Sequence, residues 1–197
     1  MKKVAAKADI SAGLHTVRFD ATIKFNDSHL AYRPPTEPAY VGQPSAEIDN
    51  NWENLLGAVN IFVTPSEQKL LGTELWLDPA TGLYMAEVTV FHDLHCLNML
   101  RKALYIEHYP EIDHFPVQVH LEHCIDALRL SLMCTGDMTL IPIRWSKNRN
   151  WINPSFDTDH TCRNYEALRD WSLPRDAADE NKWPANADRL RKLDGLS

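Results

Sequence analysis

Two copies of one short pattern constrain this chain more than anything else in it: His92-Asp-Leu-His95-Cys96 and His120-Leu-Glu-His123-Cys124. In each copy the histidines are three apart and the cysteine is four from the first. On a helix, those spacings bring all three side chains onto one face. The surrounding sequence is helical in period. From His92 to His108 the residues Leu94, Leu97, Leu100, Arg101 and Leu104 recur at three and four. Tyr109-Pro110 and His114-Phe-Pro116 mark a break. A second helix is expected from Val117 to Cys134, with Val119, Cys124, Ile125, Leu128 and Leu132 apolar and Gly136 past its end. A metal ion needs several lone pairs converging on one point, and two helices each carrying a histidine pair supply four imidazoles. One such motif arises by chance in about 1 chain in 100 of this composition, two in about 1 in 10,000, so the pair marks a site. His15, His29, His108 and His114 stand alone and are read as lying outside it.

Two metal chemistries remain open on the residues alone. If Cys96 and Cys124 are ligands, a His/Cys set suits structural or catalytic zinc. If they are disulfide-bonded, the all-nitrogen set suits copper or non-haem iron. The four cysteines, Cys96, Cys124, Cys134 and Cys162, are even in number and allow two disulfides in three connectivities. The zinc-protease pattern places its histidines four apart with a glutamate between, so it does not apply here. No Gly-rich phosphate loop and no serine nucleophile elbow is present. Asp126 and Asp137 are candidates to accept hydrogen bonds from ligand imidazoles, with helix and turn capping as their ordinary role. Arg101, Arg129 and Arg163 are candidates to bind a substrate carboxylate, or to pair with those aspartates.

The rest of the chain reads as an α+β domain: an extended N-terminal arm and a β-hairpin packed on the core helix pair that carries both motifs. Residues 1–45 form the arm and a Pro-rich surface segment, 46–172 a single domain, and 173–197 a tail that wraps it. Val17 to Phe25 alternates as a strand or an extended arm does. Asp49 to Val59 is expected to be a short helix capped by Asp49 or Asn50, and Pro65 to Leu71 another capped by Thr64. Glu74 to Leu77 and Leu83 to Phe91 flank Asp78-Pro-Ala-Thr-Gly82 as a hairpin whose second strand leads directly into His92. Arg144 to Asp159 is expected to be irregular, and Tyr165 to Trp171 a last short helix before a tail that is helical again at Ala187 to Leu193.

The net charge of −7 and the scattered basic residues give no electrostatic reason to expect a nucleic-acid partner. No apolar run approaches the roughly 18–20 residues of a membrane span, and Met1 to Ile10 does not read as a signal peptide. The chain as given therefore reads as soluble. Asn26-Asp27-Ser28 fits a glycosylation sequon.

Phe91-His-Asp-Leu-His-Cys-Leu97, His120-Leu-Glu-His-Cys-Ile-Asp-Ala-Leu-Arg129, Met133-Cys-Thr-Gly-Asp-Met-Thr139 and His160-Thr-Cys-Arg163 together resemble the UstYa-like family of fungal mycotoxin-biosynthesis oxidases. Trp52 and the segment Tyr165 to Trp171 extend the resemblance over residues 45–172. It implies an O2-using, copper-dependent oxidase that tailors a peptide or other secondary metabolite by oxidative cyclisation, desaturation, hydroxylation or halogenation. His92, His95, His120 and His123 then match the metal ligands and catalytic residues, His160 matches a further histidine near the last cysteine, and all four cysteines match family cysteines. The candidate partners are a small-molecule or peptide substrate and a homologous subunit. The resemblance also implies the lumen of the secretory pathway, although the membrane-spanning helix with which family members begin is not found here. The alternatives are a zinc-binding structural or scaffold subunit of a biosynthetic complex, and a non-redox cyclase.

Overall fold

The computed structural model describes residues 13–114, 116–179 and 181–195, without the side chains of 113 and 114. The described residues form six α-helices and four small antiparallel sheets, an α+β architecture. The centre is a three-stranded sheet in which β4 (Asn60–Val63) and β5 (Trp76–Leu77) flank β6 (Tyr84–Glu87). The expected hairpin is therefore present, but its second strand stops at Glu87. Val88 then turns the chain into helix α3 (Thr89–Ala103), whose first turn already contains Phe91 and His92.

Local sequence accounts for most helix ends. Helix α1 (Ala46–Leu55) starts earlier than expected, because Ser45 rather than Asp49 is its cap and accepts from the Ile48 amide. Asp49 instead joins a cluster under α3, bonded by the buried Arg101 guanidinium at 2.6 Å and by the Tyr109 hydroxyl at 3.1 Å. Helix α2 (Pro65–Leu71) has the full reciprocal cap between Thr64 and Glu67. Helix α4 (Val117–Thr135) ends where Gly136 takes the left-handed conformation, φ 50°.

Two corrections concern the arm and the segment it lies on. The expected strand from Val17 to Phe25 is two pieces, β1 (His15–Phe19) and β2 (Lys24–Phe25), the second paired with β3 (Ala31–Tyr32). The segment expected to be irregular is a hairpin of β7 (Ile143–Ser146) and β8 (Trp151–Pro154), followed by β9 (Thr158–Cys162), which pairs with β1 so that Val17 faces His160. The turn lacks Gly and Pro and uses Asn150 at φ 51°, a conformation that asparagine tolerates better than most residues. Ile143, Trp145, Trp151 and Ile152 are ordinary strand formers on either side of it.

Two clusters make the core. One joins Ala58, Ile61, Val63, Val88 and Phe91, with Tyr165, Leu168 and Trp171 of helix α5 (Tyr165–Ser172) packed against it. The other joins Phe62, Leu83 and Ala177 to Ala187 and Leu190 of helix α6 (Trp183–Leu193). The tail therefore closes the core on the far side of the sheet as well as covering it. Phe91 is fully buried and meets Tyr165 edge-on with ring centroids 6.0 Å apart, which pins the residue immediately before His92. A Cβ at Gly57 would lie 2.6 Å from the Phe91 ring and 2.5 Å from Ser172 Oγ, both fully buried. Gly57→Ala is accordingly expected to destabilise by about 1–3 kcal/mol, read as a lowered denaturant midpoint, because the overpacked ring cannot move without shifting α3.

Candidate metal centre

The site is built by α3 and α4. As residue numbers rise along α3, their neighbours' numbers fall along α4: His92 meets His123, and His95 meets His120. The helices thus run in opposite senses, and each cross-helix pair takes one histidine from each motif. Ring centroids are 5.4 Å apart in the first pair and 6.0 Å in the second, with 6.4 Å between His92 and His95. All four imidazoles lie in one cluster, open to solvent at His123 and half-buried elsewhere. His92 Nε2 and His123 Nε2 face each other at 3.4 Å. Two donors about 2.1 Å from one ion stand about 3.4 Å apart at a tetrahedral angle.

Beneath the imidazoles, Cys96 and Cys124 are both fully buried free thiols in hydrogen-bond contact where the helices meet. Small side chains let the two backbones approach there. Burial, reinforced by the Cys124 thiol, pushes the Cys96 thiol up to about 12. On α3 the buried positions are Phe91, Cys96 and Arg101, while Leu97 and Leu104 of the expected apolar face are exposed.

The donor atoms of His92, Cys96 and His123 all lie within 4.8 Å of one another. Their lone pairs do not converge in the same way. Cys96 Sγ is 3.8 Å from His92 Nδ1 and 3.9 Å from Nε2, so it lies on neither lone-pair axis. An ion about 2.1 Å out along either axis would stand more than about 4 Å from that sulfur, against about 2.3 Å for a zinc–thiolate bond. The arrangement favours imidazole donors over a shared His/Cys set. Burial first, then the neighbouring His120 and His92, lower the pKa of His95, so its ring keeps the neutral, ligating form to lower pH.

The other candidates lie elsewhere. His160 is on β9, with Nδ1 2.7 Å from an Asp137 carboxylate oxygen and Nε2 3.0 Å from the Thr158 hydroxyl. Both of its nitrogens are engaged, and it is not among the converging donors. Asp137 does orient a histidine as expected, but that histidine is His160. Hydrogen bonds from Thr139 and His160 hold the Asp137 carboxyl down at about 2. Asp126 pairs with Arg129 at 2.7 Å on the exposed face of α4. Arg101 is committed to Asp49, Asn98 and Tyr109, and Arg163 is exposed between β9 and α5. All four cysteines are free thiols in this structure, with Cys134 exposed and Cys162 half-buried. Of the three possible disulfide connectivities, the Cys96–Cys124 contact favours the one that leaves Cys134 for Cys162. Protein from an oxidising compartment is expected to gain about 2 Da per bridge on reduction, by intact mass. Four free thiols in fresh protein would return weight to thiolate ligation, which requires the His92 ring to turn off Cys96.

The sequence reading missed two carboxylates at this site. Asp93 accepts from Ser131 at 2.6 Å and ties α3 to α4. Glu87, at the end of β6, places Oε2 4.0 Å from His92 Nε2. Both line a groove of about 360 Å³ that runs from Thr89 and His92 along Ala127, Leu130, Ser131 and Cys134. The available signal was the strand leading straight into His92, which brings its last side chain beside the first histidine.

Fold and site together define an α+β protein with a helix-borne candidate metal centre. Residues 5–175 match the family model of the mycotoxin biosynthesis protein UstYa, and the chain belongs to that family. It is similar to the UstYa family oxidase phomYd of Diaporthe leptostromiformis, 36% identical over 143 residues that cover 69% of this chain and 46% of the relative. It is 39% identical over 90 residues to the UstYa family oxidase VicYc of Bipolaris victoriae, covering 46% of this chain and 90% of that protein. It is also 30% identical over 165 residues to the transacylase cctO of Talaromyces islandicus, covering 73% and 53%. The chain spans about half the length of most of the curated relatives it matches. No solved structure matches it. No helix among the described residues is long and apolar enough to cross a membrane.

Proposed function

We propose that this chain is a copper-dependent oxidase that tailors a peptide or other secondary metabolite. The observation that carries the reading is the pairing of His92 with His123 and of His95 with His120 across two antiparallel helices, with the cysteine sulfur off the lone-pair axes. Imidazole donors of this kind suit copper. A copper ion held by these residues would supply one-electron redox chemistry with dioxygen as oxidant.

The chain's own part is positioning. Phe91 and the Cys96–Cys124 contact fix the two histidine-bearing turns, so the imidazoles are held before any ligand arrives. The groove beside His92 is floored by Ala127 and Leu130 and is large enough for an apolar side chain of a substrate. The names of two similar proteins, UstYa family oxidases, support the redox reading. The relative named a transacylase favours a second reading, in which the same groove folds a substrate for a non-redox step. Oxygen consumption by the copper-loaded full chain separates them. Uptake that needs both copper and a candidate peptide is expected, and turnover that survives complete metal removal without oxygen would establish the second reading instead.

A further inference from the structure

Glu87 occupies an unusual place beside His92. A carboxylate that merely orients a ligand imidazole sits behind it, at the nitrogen that does not face the ion. Glu87 Oε2 instead approaches Nε2, the nitrogen that faces His123, and at 4.0 Å it is too far for a hydrogen bond. It therefore stands on the side of the ring where an ion would lie.

Each spacing to His92, taken alone, suits a shared ion. Donors about 2.1 Å from one ion are separated by about 3.0 Å at a right angle and about 4.2 Å when opposite, and both the 3.4 Å and the 4.0 Å separations fall between these. Glu87 is not among the donors that already lie within 4.8 Å of one another, so its carboxylate must swing toward His123 to join them. The backbone of Glu87 is fixed by pairing with Asn60 in the central sheet. Its side chain is 56% exposed, and His92 is its only ion-pair neighbour among the described residues, so no Lys or Arg holds it away. It also lines the groove at the His92 end.

We propose that Glu87 is an oxygen ligand to the metal ion held by His92 and His123, placed on the side of the ion that borders the groove. The proposal rests on the imidazole site described above and adds a donor from outside both motifs. The strand fixes its backbone, and the exposed side chain would have to rotate to bring the carboxylate to the ion. A carboxylate in this place would also lower the net charge of the site and leave the groove side of the ion partly screened until substrate enters.

The test is Cu(II) binding to the full chain, followed by competition titration and by electron paramagnetic resonance, without any turnover assay. Glu87→Gln keeps the shape and removes the charge. It is expected to weaken Cu(II) about tenfold or more and to change the copper hyperfine splitting, while nitrogen hyperfine structure persists. Asp126→Asn, a carboxylate paired with Arg129 away from the site, is the control and should change neither. Unchanged affinity and an unchanged spectrum in Glu87→Gln, with His92→Ala weakening Cu(II) and altering the nitrogen pattern, would overturn the role of Glu87 and leave the imidazole site standing. A wild-type chain that takes up no Cu(II) with nitrogen hyperfine structure would overturn both.

Discussion

Replacing His92 or His123 by alanine is expected to abolish the proposed oxidase activity and to weaken metal binding by about 100-fold or more, since loss of partners beyond the ligands already costs 10–100-fold. The two rings face each other through Nε2 at 3.4 Å, so removing either leaves the other unable to chelate. His95→Ala and His120→Ala remove the second pair and are expected to act in the same direction. The effects should be far from additive, because the four residues act as one site. His15→Ala is the control: His15 is exposed on β1 and pairs with Cys162 in the sheet, away from the converging donors. His29→Ala is a stricter control. His29 is bonded to the Asn148 carbonyl and has φ 62°, so alanine there costs some stability while metal binding stays intact. Isothermal titration with Cu(II), beside a thermal melt of each variant, reads both quantities. Full activity in His92→Ala or His123→Ala would remove the metal-site reading.

The helix pair was legible in the sequence because its signals are local. The three-and-four periodicity, the prolines between the helices and Gly136 each act over a single turn. The choice between one compact cluster and two separated sites was not legible. It depends on the register of α3 against α4, and that is set by the Cys96–Cys124 contact and by Asp93 reaching Ser131, pairings with no sequence neighbourhood. His160 shows the same limit from the other side. A histidine two residues from a family cysteine looks like a ligand in one dimension, yet the strand places it against Asp137 and Thr158. The β7–β8 hairpin escaped notice because an asparagine does the work usually signalled by glycine. Ser45 escaped because the acidic residues after it look like better caps than they are; Asp49 turns inward to Arg101 instead. Glu87 escaped for the most physical reason of all. Its importance comes from a strand handing the chain to a helix, so that a residue outside the motif ends beside the motif's first histidine.

The metal is expected to be copper. Cys96 Sγ lies off both lone-pair axes of His92, which leaves imidazoles and at most a carboxylate as donors. Nitrogen and oxygen donors bind Cu(II) more tightly than the other first-row divalent ions, in a tetragonal arrangement. Zinc binds such sets too, but it does not change oxidation state and would leave the proposed oxidation without an electron acceptor at the site. Protein reconstituted with Cu(II) is therefore expected to give a tetragonal resonance spectrum with nitrogen hyperfine structure and no intense blue thiolate band. The pH dependence follows from the ligands. An imidazole binds only when neutral, so Cu(II) should be released as pH falls through about 6, near the reference value for histidine. The pKa of His95 is lowered by burial and by its neighbours, so this ligand stays neutral, and able to hold copper, to lower pH than an ordinary imidazole. His95→Ala should accordingly raise the pH at which copper is lost, a shift that removal of a merely structural histidine would not produce. If apo-protein is activated by iron and not by copper, the copper assignment fails while the oxidase reading stands; activation by zinc alone would overturn both, leaving a four-imidazole site with non-redox chemistry.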